Sequence, residues 1–207
     1  MRRKFRYLGM VAAIAVLGLA IAGCKNPFTH RSSEPPTGLS GTWEVPSMPR
    51  VVISNLLFAY NERNINNFRR CLSDSFFFSA YEDSIEAEQN GQGWIYQNWD
   101  VDVEAAVTRR MFQNYPSGSD SASMNLVIDL SYNPIDQEND STAVLVRAYS
   151  LMIVHYGALA TDTVMAVGEA TFAMSRSSLE GWSIDIWSDR ADLDFDFDWA
   201  KFKALFR

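Results

Sequence analysis

Apolar positions along this chain recur with three different periods, and the changes of period divide it into segments. An unbroken apolar run, Leu8 to Ala22, stands behind Arg2, Arg3, Lys4 and Arg6. From about Met48 to Arg63, Val52, Ile53, Leu56, Leu57, Ala59 and Tyr60 recur at three- and four-residue spacing. That predicts an amphipathic helix, with Ser47 as N-cap and Pro49 in its first turn. Asn61-Glu62-Arg63-Asn64 breaks the pattern, and a short second helix follows with Asn64 as cap and Ile65, Phe68, Cys71 and Leu72 inward. Phe76-Phe77-Phe78 opens a strand reaching about Tyr81, and the polar stretch 82–93, with Gly91 and Gly93, predicts a loop. Asp100 then caps a third helix over about Val101–Tyr115, whose first-turn Asp102 and Glu104 suit the helix dipole.

Beyond Pro116 the period changes to two. Four strands are predicted, Met124–Tyr132, Thr142–Tyr156, Val164–Ser175 and Gly181–Trp187, with turn-rich links that imply an antiparallel meander. Alternation assigns Met124, Leu126, Ile128 and Leu130 to an inner face. The matching sets are Val144, Val146, Ala148, Ser150, Met152 and Val154, then Val164, Ala166, Gly168, Ala170, Phe172 and Met174, then Trp182, Ile184 and Ile186. On that assignment Asp129, Arg147, Glu169, Asp185, Tyr149, Thr171 and His155 fall on the outer face, with Arg147 beside Glu169.

The ends differ from the middle. Residues 24–47 carry Pro27, Pro35, Pro36 and Pro46 among serines and glycines and read as a flexible tether, with Trp43 docking its end. Residues 48–190 form the predicted domain and 191–207 an acidic, aromatic tail. In that tail Asp192, Asp194, Asp196 and Asp198 alternate with Leu193, Phe195 and Phe197. A calcium loop would need Gly and Glu where Phe197 and Lys203 stand. Trp199–Arg207 is amphipathic, with Trp199, Phe202, Leu205 and Phe206 on one face and Lys201, Lys203 and Arg207 elsewhere. Nine residues are too few for a stable free helix, so the tail is expected to pack back on the domain.

The basic flank, the apolar run and Ile21-Ala22-Gly23-Cys24 resemble a bacterial lipoprotein signal with its lipobox. The apolar run is about 15 residues, short of the roughly 20 that span a bilayer. The resemblance implies cleavage before Cys24, lipid on its thiol, and a membrane anchor through that lipid. Lys25 follows instead of Asp, which leans toward the outer membrane facing the periplasm.

Loss of residues 1–23 would remove four of the 18 basic residues and leave 14 against 25 acidic ones, a net charge of −11. Such a surface disfavours nucleic acid and anionic head groups. With Cys24 lipidated, Cys71 has no partner in the chain, so no disulfide framework is expected, and its apolar setting reads as core.

The phrases AYNERNINNFRRCLSDSFFF (59–78) and GWSIDIWSD (181–189), in an order of helix pair, strand, helix and long-stranded sheet, resemble the NTF2-like, or SnoaL-like, superfamily. The resemblance implies an α+β roll of the cystatin-like kind, three helices on a curved antiparallel sheet with a short C-terminal helix, enclosing an apolar pocket. Family members include isomerases, dehydratases, small-molecule binders and interaction modules, so fold leaves function open. No catalytic residue can be carried over, and the inner sets hold no acid, base or histidine. Tyr149, His155 and Glu169 are the weak pocket candidates, reaching the pocket only if the strand facing differs. Two histidines and one spare thiol offer no zinc spacing, and no phosphate loop or cofactor motif is present, so no metal or cofactor is expected. The expected role is a lipid-anchored envelope binding or assembly module. Its partners would be a second copy through the outer sheet face, an envelope protein, or a small apolar ligand. The alternative is a SnoaL-like enzyme or carrier.

Overall fold

The computed structural model describes residues 41–131, 133–157, 160–192, 194–195 and 197–207. The N-terminal apolar run, Cys24, Lys25 and the tether up to residue 40 lie outside the described residues, as do Leu193 and Asp196 of the acidic run.

Helix α1 (Pro49–Glu62) begins one residue later than its serine cap predicts, with Met48 at the N-cap and Pro49 first. It ends on Arg63 in the left-handed region (φ 58°). A left-handed arginine costs energy that its side chain offsets. The guanidinium donates to the carbonyls of Tyr115 (2.7 Å), Tyr60 and Met124, tying the helix end to the sheet. Helix α2 (Ile65–Arg70) is capped by Asn64, whose Oδ1 accepts from Asn67 N at 3.0 Å. Strand β1 (Leu72–Ser79) follows, then helix α3 (Tyr81–Gln89) where the polar pattern suggested a loop. That stretch is polar because only Asp83 of α3 is buried, while Glu82 and Asp83 in its first turn complement the dipole. A 3₁₀ turn (Gly93–Tyr96) leads to α4 (Val101–Asn114), where Asp100 accepts from the Asp102 and Val103 N–H groups at 3.1 and 3.0 Å.

Strands β2 (Ala122–Ile128), β3 (Gln137–Glu138), β4 (Thr142–Tyr156), β5 (Thr161–Ser177) and β6 (Gly181–Ala191) complete a sheet of order β1-β6-β5-β4-β2, with β3 on the free stretch of β4. The sheet is mixed, not wholly antiparallel, because β1 runs parallel to β6. Helix α5 (Trp199–Ala204) closes the chain. The tether end is pinned: Glu44 exchanges hydrogen bonds with Asn55 (2.9 and 2.7 Å), and Arg70 lies 3.7 Å over the Trp43 ring.

Two strands depart from the expected facing. In β4, Ala143, Leu145, Tyr149, Leu151 and Ile153 are buried, while Ala148 and Met152 are exposed. Both alternations of this strand are apolar, so its own pattern cannot choose a face. Pairing chooses it, since Ile128, Leu126 and Met124 stand opposite Tyr149, Leu151 and Ile153. In β6 the register slips between Ala173↔Ile186 and Met174↔Ile184, leaving Asp185 as an extra residue. This bulge reverses the alternation beyond it. Ile186 turns outward, while Trp187 and Asp189 turn inward with Trp182 and Ile184. The inner face therefore carries a carboxyl group after all. Arg147 does not meet Glu169: it is buried with Asp136 at 2.7 Å, and Glu169 pairs with Arg190 at 2.8 Å on the outer face.

Candidate functional site

The concave side of the sheet is filled by the C-terminal segment. Asp198 caps α5 by accepting from Lys201 N at 2.8 Å. Trp199 then enters the interior, its backbone N–H donating to Tyr149 Oη (2.9 Å) and its indole Nε1 to Tyr60 Oη (3.0 Å). Its ring meets Trp187 edge-on with centroids 4.4 Å apart, and Tyr60 and Tyr149 each at 4.9 Å. Gly168 makes room for this arrangement, because a Cβ there would lie 2.6 Å from Tyr149 Oη. Ala200 N donates to Asp189 Oδ2 at 2.7 Å. Beyond the helix, Arg207 donates from Nε to the Ile95 carbonyl at 3.1 Å.

One turn after Trp199, Lys203 points inward and is wholly buried, not set on the solvent side as amphipathic spacing suggested. Its ammonium nitrogen is 2.8 Å from Glu104 Oε1, 3.4 Å from the Trp187 ring centroid and 3.9 Å from that of Phe78. Glu104 also accepts from Trp99 Nε1 at 2.7 Å, and Thr108 Oγ1 donates to it at 3.4 Å. Leu205, expected inward, is exposed instead. Burial lowers the Lys203 pKa, against the pull of Glu104, Asp189 and Asp198.

A second group of acids adjoins this cage. Burial, followed by the charge of Asp198, pushes Asp189 up to about 8, against the pull of Lys203. Burial and the neighbouring Asp198 likewise raise Asp83 well above the carboxylate range. Lys201 bridges this edge to Glu86 at 3.1 Å. Burial also raises the Tyr149 phenol, so it acts as a neutral hydroxyl. The chemistry available inside is thus recognition of a cation by rings and a carboxylate, beside a carboxyl group that stays protonated into neutral pH.

Of the pocket candidates, Tyr149 lies inside against Trp199, and Glu169 lies on the outer face. His155 sits exposed at the end of β4, its ring 5.4 Å from that of Tyr115. Burial raises the Cys71 thiol, which contacts the Asn67 carbonyl at 3.3 Å and has the inert setting of a core residue. Sequence reasoning missed Glu104, Trp187, Asp189 and Lys203. A buried acid four residues past its own cap residue carries no local mark, but a lysine one turn after a tryptophan in an aromatic tail is a signal that could have been weighed. Among the described residues no group of three or more His, Cys, Asp or Glu side chains is arranged to hold a metal ion.

Element order and strand order are those of an NTF2-like, cystatin-like α+β fold with an open, curved, mixed sheet. No protein-family model matches the sequence, and no curated protein matches it. Among solved structures, the chain is similar to a nuclear transport factor 2 (NTF2-like) superfamily protein from Salmonella enterica serovar Typhimurium. That likeness has TM-score 0.49 and 11% identity over 68% of this chain and 85% of the other. It is also similar to a ketosteroid isomerase-like protein from Erwinia carotovora atroseptica (TM-score 0.47, 12% identity, 72% and 98% covered). A third is a protein of unknown function with a cystatin-like fold from Nostoc punctiforme (TM-score 0.44, 9% identity, 70% and 89% covered).

Proposed function

We propose that this protein is a lipid-anchored bacterial envelope protein whose NTF2-like domain is a binding and assembly module. The observation that carries the module reading is the filling of the concave side by the chain's own Trp199, Phe202 and Lys203. With the interior occupied, a partner must meet the surface, and the outer sheet face offers a row of apolar groups. Val127, Met152, Met165 and Tyr156 are exposed there, and register places Asn125, Met152 and Met165 in one row. The only ion pair among the described residues on that face, Glu169 with Arg190, is internally neutral. An acidic chain associates with least repulsion through such a face, so a second copy is its proposed occupant.

The anchor reading rests on Cys24 and its flank. Metabolic labelling with a tagged fatty acid is expected to mark the wild-type protein and not Cys24→Ala, and fractionation is expected to place the label in the outer membrane. Sedimentation of the purified protein over a concentration series tests assembly. A dimer dispersed by Met165→Glu is expected, and a monomer at every concentration rejects the second copy as occupant. A second reading, an enzyme or carrier for a small apolar ligand, draws on Asp189 and Tyr149 facing the interior, and it requires α5 to leave.

A further inference from the structure

Of the nine residues of helix α3 only Asp83 is buried. Tyr81, Glu82, Ile85, Glu86, Glu88 and Gln89 face solvent, while Asp83 is 6% exposed. A surface helix is ordinarily held by an apolar stripe, and here the group turned inward is a carboxyl. A segment with so few buried apolar contacts lies at the low end of local stability.

Asp83 meets the side chain of Asp198, the wholly buried cap residue of α5. Asp198 Oδ1 accepts from Lys201 N at 2.8 Å, whereas Oδ2 is buried with no donor among the described residues. Two ionised carboxylates in contact offer only acceptors and repel each other. A proton held between them supplies the missing donor and removes one of the two charges. The other ionisable groups acting on Asp83 do not replace that proton. Lys201 of α5 places Nζ 3.7 Å from Asp83 but 3.1 Å from Glu86, so Asp83, Glu86 and Asp198 share its ammonium ion. Tyr96 of the 3₁₀ turn faces both aspartates, and Asp189 of β6 and Lys203 of α5 interact with Asp198.

We propose that Asp83 and Asp198 share one proton, that this proton fastens α3 to the capped end of α5, and that its loss as pH rises from acid to neutral loosens α3 while the rest of the domain stays folded. The consequence lies on the surface. Helix α3 supplies Tyr81 and Glu82 to one wall of a groove of about 250 Å³, opposite Glu169, Thr171 and Arg190 of the outer sheet face. The shared proton sets whether that wall is fixed. The latch needs no movement of α5, and it stands whether or not the outer face binds a second copy.

Burial, then the charge of Asp198, raises Asp83 from 3.8 to about 7. A raised acid stabilises the ordered helix fully below the lower value and stops doing so as pH reaches the higher one. Hydrogen exchange of the full chain, expressed as protection factors from pH 4 to 8.5, tests the latch. Amides of α3 are expected to lose protection by up to about tenfold per pH unit until about pH 7 and then to level off. Amides of α1 report global unfolding and are expected to stay protected throughout. Asp83→Asn, whose amide donates to Asp198 at every pH, is expected to keep α3 protected with a flat profile. Asp83→Ala is expected to leave α3 unprotected at every pH, with α1 still protected. An α3 profile in the wild type that is flat or runs parallel to that of α1 overturns the latch, and so does a step that survives in Asp83→Asn.

Discussion

Two ion pairs are buried among the described residues, and they are built differently. Asp136 and Arg147 lie 2.7 Å apart with side chains 1% and 4% exposed; Glu104 and Lys203 lie 2.8 Å apart and are both fully buried. The first pair joins residues close in sequence and is saturated. Asp136 accepts from Val146 N at 3.0 Å and Asn133 N at 3.3 Å, while Arg147 also donates to the Val146 carbonyl at 2.7 Å. Burial works against the Asp136 charge, yet Arg147 and those N–H groups hold its carboxyl below the usual range. The second pair joins α4 to the end of the chain and leaves the ammonium ion against ring faces. Arginine's fork suits a multidentate lock, whereas lysine's single point charge on a flexible stem leaves room for ring faces around it. The saturated pair fixes a loop, and the other ties the C-terminal helix to α4.

The comparison breaks most severely if α5 is removed. A stop codon after Asp198 deletes buried Trp199 and Phe202, each worth about 3–5 kcal/mol by large-to-small precedent. Chemical denaturation is expected to show a domain unfolded or molten at room temperature. A truncated domain with unchanged stability would mean that α5 is an exposed docking element.

Removing one partner from either pair strands a buried charge and is expected to cost about 3–5 kcal/mol, as measured by urea unfolding of Glu104→Ala and Asp136→Ala. The two pairs separate under the apolar replacement. Lys203→Met together with Glu104→Gln is expected to leave stability within about 1–2 kcal/mol of wild type, because no charge remains to be solvated. Arg147→Met with Asp136→Asn is expected to lose more, since the Val146 and Asn133 N–H groups lose a charged acceptor.

pH sharpens the contrast because the two sites carry opposite signs. The Asp189 pKa is raised from 3.8 to about 8, so the folded state binds a proton that the unfolded state releases between those values. Stability from this group is complete below about pH 4 and is lost as pH rises toward 8, by an amount on the order of a few kcal/mol. The Asp136 pKa is lowered, so its contribution is complete above the unfolded value and is lost in acid. Thermal midpoints taken from pH 4 to 8.5 are expected to fall, and Asp189→Asn is expected to flatten that fall. A midpoint that climbs over this range would contradict the buried setting of Asp189.

Smaller effects follow outside the two pairs. Gly168→Ala places a methyl group against Tyr149 Oη and the Arg190 carbonyl, and is expected to cost about 1–3 kcal/mol by thermal unfolding. Glu169→Ala removes an exposed pair, its side chains 39% and 62% exposed, and is expected to change stability by less than about 1 kcal/mol.

Most of the helical layer was legible in the sequence. Asn64 and Asp100 each sit where their side chains accept helix N–H groups, and such caps are local events that need no tertiary context. The inner face of β2 and β5 was legible for the same reason, one alternation being clearly apolar. The site was not legible. Its cage depends on the β6 bulge, which a count of residues cannot see, and on β4, where both faces are apolar. Glu104 was legible only as a first-turn acid, since nothing local distinguishes a carboxylate facing water from one facing a lysine 99 positions later.

The sequence by itself determined the periodic elements, the order in which they occur and the acidic, aromatic character of the tail, because capping, alternation and amphipathic spacing act between near neighbours. Tertiary structure alone decided which alternation of β4 faces inward, that β1 runs parallel to β6, and that Lys203 ends in a box of tryptophan, phenylalanine and glutamate. Those outcomes depend on strand register and on which surface covers a helix face, and both are settled by contacts between residues far apart in the chain.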